Sequence, residues 1–226
     1  MLAHSSFFTE KEFPMSYPQT LVQIAGGTAR AATWQEAVLL IIDHQTEYTT
    51  GRAPMTGIDA AIGQVAELLR QARAAGAPVI HVVHHGKPGG AMFDPQGPHV
   101  AIIDGVQPVT GELVLSKSLP NSFAGTSLDE AIRKTGRKSL IVAGFATHMC
   151  VSATVRSALD HGYASTVVAA ACATRDLPDA LGGPAIAAAD VQRVALAELA
   201  DRYATVVADA AALASVSDVT RSHTSA

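Results

Sequence analysis

Cys150 stands where a thiol can react. The run Ser139–Phe145 is continuous and apolar, and the amphipathic stretch from Thr147 onward follows it through a tight turn, so the thiol falls at a strand-to-helix junction. Unpaired backbone N–H groups and the positive end of a helix there favour thiolate over thiol and can hold an oxyanion. The same position also suits a small hydrophobe packed beneath a turn, because free cysteine is among the most buried residue types. Two other groups bear on the choice. Asp43 closes the aliphatic run Ala37–Ile42, and Lys117 closes the shorter run that begins at Leu113. Singly, Asp43 reads as a helix cap and Lys117 as a solvated charge. Together a carboxylate, an ammonium and a thiol make a base, a charge partner and a nucleophile.

The elements that must position them follow from periodicity. Ala37–Asp43 is a strand of the kind covered on both faces. From Ile58 to Ala75 the apolar residues Ile58, Ala61, Ile62, Val65, Leu68, Leu69 and Ala72 keep the helical period, and Gly76 with Pro78 stops it. Pro78–His84 is a second strand, so the unit is βαβ with a parallel pair. Leu113–Lys117, Ser139–Phe145, Ser165–Ala171 and Ala204–Ala208 are further strands, with helices over 125–136, 147–163 and 186–203. This alternation predicts a three-layer α/β/α fold around a six-stranded, mostly parallel, doubly wound sheet. Ligands bind outside the carboxyl ends of such strands, which is where Asp43, Lys117 and the turn before Cys150 lie. Residues 1–34 read as an arm able to drape over a neighbour, 35–212 as the domain and 213–226 as a polar tail; Met1 and Met15 are both candidate starts.

Composition narrows the function classes. The chain has 226 residues, 48% hydrophobic and 16% charged, enough for one good core. A net charge of -4 with no basic cluster argues against nucleic acid and anionic membrane partners. A small-molecule substrate and further copies of the chain are the partners expected. Two distant cysteines and no basic n-region with an apolar run indicate a reducing cytoplasm.

Three motifs carry a family resemblance: Leu-Leu-Ile-Ile-Asp43-His-Gln45, Lys117-Ser-Leu-Pro-Asn-Ser-Phe123-Ala-Gly-Thr126, and Gly144-Phe-Ala-Thr147-His-Met-Cys150-Val-Ser-Ala-Thr154-Val-Arg156. With the element order they cover about 35 to 210, and the chain resembles the isochorismatase-like cysteine hydrolases, which include nicotinamidases and carbamoylsarcosine amidases. The resemblance implies Cys150 as nucleophile, Asp43 as base and Lys117 as the charge that keeps Asp43 ionised and lowers the thiol pKa. It also implies a cis bond between Phe145 and Ala146, with the N–H groups of Ala146 and Cys150 as oxyanion hole and Thr147 supporting the turn. Dimers or tetramers are common in the family. The chemistry implied is hydrolysis of a C–N bond in a small amide, cyclic amide or carbamoyl compound through a thioester. Vinyl ether hydrolysis of the isochorismatase type, or a non-catalytic thiol-redox or binding role, is the alternative.

The segment Tyr48–Asp59 lacks the histidines with which nicotinamidases bind metal, so neither a metal nor another cofactor is expected. His81, His84 and His85 alternate on a strand and cannot all converge. Gln45, Tyr48, His85, Phe123 and Thr147 are the candidate substrate contacts, with His84 the other choice at that strand end. Cys172 reads as a buried small residue. The loop from Gly86 to Gly111 carries no motif that names a substrate.

Overall fold

The computed structural model of the protein describes residues 18–215. Six aliphatic residues, Ala37–Ile42, form β1, and every one is buried because the strand lies inside the sheet with a parallel neighbour on each side. The remaining strands are β2 (Val79–His84), β3 (Leu113–Lys117), β4 (Ser139–Phe145), β5 (Ala164–Ala173) and β6 (Ala204–Val207). Their order is β3-β2-β1-β4-β5-β6, and all five pairings are parallel. The chain thus winds outward from β1 to β3, returns to the other side of β1, and winds outward again. The crevice between β1 and β4 is the point where the direction reverses, the usual ligand position in such sheets.

Alternation along β1 divides the core in two. Leu39 and Ile41 pack with Val65, Leu68, Leu69 and Ala72 of the helix Ile58–Ala74, here α2 because a short helix, α1 (Leu21–Ile24), precedes it. Val38, Leu40 and Ile42 face Leu128 and Ile132 of α3 (Leu128–Lys134), Val155 and Ala158 of α4 (Ser152–Asp160), and Leu199 of α5 (Ala188–Arg202). No helix of the described residues is long and apolar enough to cross a membrane.

Three local features depart from the sequence expectations. The arm is not free from residue 21 onward: the Leu21 N–H donates to Asp201 Oδ1 at 2.8 Å and the Ala32 N–H to Thr166 Oγ1 at 2.8 Å. Ala31, Ala32 and Trp34 join the core, and that burial holds the segment on its own domain. Residues 1–17, with both candidate starts, and the tail beyond 215 lie outside the described residues. Secondly, α3 is shorter than expected because Gly125 has a φ of 70°, which a right-handed helix cannot include. Thirdly, β5 is longer and its register against β4 shifts between Val142 and Gly144. Gly144 has a φ of 127°, and a Cβ there would overlap the Ile42 backbone, so only glycine lets β4 pass β1 at this point.

Candidate active site

Asp43 follows β1 directly. Its φ of 53° turns the chain out of the strand, while its N–H still donates to Val82 O at 2.8 Å. Lys117 is the last residue of β3 and pairs in register with His84 of β2. Both side chains are completely buried. Cys150 arrives from β4 through a cis peptide bond at Phe145–Ala146 and a wide π-type turn, Thr147–Val151. The Ala146 carbonyl accepts from Met149 N at 3.1 Å and Val151 N at 3.2 Å, passing over the Cys150 N–H between them. Cys150 therefore precedes α4 and is not in its first turn.

The Lys117 ammonium joins these elements. Nζ donates to Asp43 Oδ2 at 2.6 Å, to His84 Nδ1 at 3.1 Å and to Cys150 Sγ at 3.3 Å, one acceptor for each of its protons. Asp43 Oδ1 remains a buried acceptor with no partner among the described residues. Burial pushes the Asp43 carboxyl up to about 6, and the Lys117 charge keeps it from rising further. Burial and then the charge of Asp43 push the Cys150 thiol up to about 12 against the pull of Lys117. The expected thiolate gives way to a thiol beside a carboxylate at neutral pH, because burial and a negative neighbour outweigh one ammonium. Burial, and next the Lys117 charge, lower His84 to about 4, so its imidazole is neutral.

Above these groups opens a cavity of about 270 Å³ with Ala146 and Cys150 at its floor. Tyr48, Met55, Met92, Phe93 and Met149 supply apolar wall; His84, His148 and Arg175 supply polar groups. Tyr48 stands among the lining residues, and four other expected contacts do not. The Gln45 amide is consumed by backbone, donating to His84 O at 3.0 Å and Val100 O at 2.8 Å and accepting from His84 N at 2.7 Å. It ties the ends of β1 and β2 to the long loop. His85 turns away to Ser116 Oγ at 2.8 Å, and of the two histidines at this strand end it is His84 that lines the cavity. Phe123 is buried on the α3 and α4 side, stacked on His161 at 4.5 Å, and Pro120 reaches the cavity from its motif instead. Thr147 is buried and donates to Ala173 O at 3.1 Å, a contact that braces the turn.

Sequence reasoning missed Met92, Phe93 and Arg175, and also Glu47, which holds the loop in place. The Glu47 carboxylate accepts from Arg52 N at 2.6 Å and Phe93 N at 2.9 Å, joining the two segments that wall the cavity. An acid four residues after Asp43 was visible, but its partner lies 46 positions away.

Among the described residues one group has the donor atoms for a metal: Asp43, His84 and Cys150, whose atoms lie within 4.8 Å of one another. The Lys117 ammonium already bonds to all three, so a positive charge occupies the place a cation would take. The donor set does not fit a metal while Lys117 is charged.

The Isochorismatase domain matches residues 37–211, from the first residue of β1 to beyond β6. The chain belongs to the isochorismatase family. A secreted isochorismatase effector of Verticillium dahliae is 40% identical over 177 residues, 78% of this chain and 90% of that protein. A maleamate amidohydrolase of Pseudomonas putida is 33% identical over 150 residues, 59% of this chain and 70% of that protein. Among solved structures, an isochorismatase from Pseudomonas putida superposes with a TM-score of 0.82 at 42% identity, covering 87% of this chain and all of that one. The family includes amidohydrolases, and the six-stranded parallel sheet with flanking helices is its fold.

Proposed function

We propose that the protein is a metal-independent cysteine amidohydrolase that cleaves a C–N bond of a small amide or carbamoyl compound through a thioester. The observation that carries this reading is the Lys117 ammonium in contact with both Asp43 and Cys150 beneath the cavity. Asp43, a carboxylate above about pH 6, takes the Sγ proton as sulfur attacks the carbonyl carbon. The new oxyanion accepts from the N–H groups of Ala146 and Cys150, each worth about 3 kcal/mol in the barrier. Collapse expels the nitrogen, which takes the proton from Asp43. Asp43 then deprotonates a water that hydrolyses the thioester, leaving acid and free thiol.

The amidohydrolase among the relatives supports C–N chemistry. Arg175 supports an anionic substrate: it lines the cavity, donates to Asp176 O at 3.0 Å, and forms no ion pair among the described residues. A screen of ammonia, amine and urea release over small amides, ureides and carbamates tests the proposal. Cys150→Ala abolishes turnover of any substrate found. If a vinyl ether proves to be the substrate, and Cys150→Ala retains that activity while Asp43→Asn loses it, vinyl ether hydrolysis driven by the aspartate replaces this reading.

A further inference from the structure

The strand order β3, β2, β1, β4, β5 sets the groups of the site in a row along one edge of the sheet. Lys117 and His84 come first, then Asp43, then the turn from Ala146 to Cys150, and Arg175 beyond the end of β5. His84 is a lining residue whose proton position its surroundings decide. An ammonium donates to its Nδ1, so that nitrogen is the acceptor, and a neutral imidazole then carries its hydrogen on Nε2. The Phe93 ring packs against the imidazole with centroids 4.9 Å apart and fixes its plane. Nε2–H finds no acceptor among the described residues, and the side chain borders the cavity.

We propose that the His84 Nε2–H group donates to an oxygen carried on the leaving-group side of the scissile C–N bond, so that the preferred substrates are acylureas or imides and not primary amides. This rests on the hydrolytic reading above. With the scissile carbonyl oxygen in the turn after β4, the leaving nitrogen lies over Asp43 at β1. Its substituent then falls over β2, where His84 stands, and the acyl remainder runs the other way toward Arg175. A primary amide has no atom to meet Nε2–H, and a site built to bond an oxygen discriminates against ligands that lack it.

Binding to the Cys150→Ala protein tests this without turnover. The probes are succinamate, whose leaving group would be ammonia, and N-carbamoylsuccinamate, whose leaving group would be urea; calorimetry gives both dissociation constants. The Cys150→Ala protein is expected to bind N-carbamoylsuccinamate at least about tenfold more tightly. Adding His84→Asn, whose Oδ1 replaces Nδ1 as acceptor for Lys117 while nothing replaces Nε2–H, brings the two constants to within about twofold. His84→Gln, whose amide N–H extends to the Nε2 position, restores part of the preference. A Cys150→Ala protein that binds the ureide no better than succinamate overturns the inference, and so does a preference that survives His84→Asn. Failure of the hydrolytic reading looks different: the ureide is preferred in binding, yet the wild-type protein releases no urea from it.

Discussion

Replacing Lys117 with methionine removes the charge that keeps Asp43 ionised while preserving most of the buried volume. At 2.6 Å and an effective dielectric of about 20, the ion pair is worth about 6 kcal/mol, equivalent to four or five pKa units before relaxation. Water entry and rearrangement reduce this, and a rise of at least about two units is expected. An opposite charge favours the ionised form, so its removal raises the Asp43 pKa from about 6 to about 8 or higher. A base works only above its own pKa, so the acid limb of Cys150 reactivity moves upward by the same amount. The assay is the rate of iodoacetamide modification of Cys150, followed by mass spectrometry from about pH 4 to pH 10. The wild-type rate rises through about pH 6, and Lys117→Met reacts about tenfold more slowly at neutral pH. A folded Lys117→Met protein whose limb stays near pH 6, or moves lower, would refute the assignment of Lys117 as the group that holds Asp43 ionised.

Three further outcomes follow from the same contacts. Iodoacetamide labels Cys150, which borders the cavity and has the Asp43 base beside it, before Cys172, which is buried and lies outside the cavity lining; peptide mapping of a partial reaction shows the order. Glu47→Gln turns one of two acceptors into a donor facing an N–H group, which costs about 1–3 kcal/mol in thermal unfolding and raises KM more than it lowers kcat. Gly144→Ala forces a Cβ into the Ile42 backbone and lowers stability by about 3 kcal/mol, the upper end for overpacking, read as a fall in melting temperature or loss of folded protein.

The reacting groups were legible because their signals are local. Asp43, Lys117 and the turn before Cys150 each end an apolar run, and a parallel sheet places such ends on one edge. Gln45 was misread because its motif position marks it without saying which way its amide points; its partners are backbone groups of β2 and the long loop. Between His84 and His85, the pleat phase set by pairing with β3 decides which ring faces Lys117, and pairing is a contact between distant segments.

The sequence by itself determined the layer architecture and the three chemical groups, since period and strand-end position depend on neighbours a few residues away. Only the tertiary structure decided the protonation state at Cys150. The thiol is pushed toward its protonated form by burial and by a carboxylate at the end of a strand more than a hundred residues earlier, and neither effect exists until β1 and β4 lie side by side. The cavity walls were likewise decided there, where Glu47 fastens Phe93 to a segment that shares no periodicity with it.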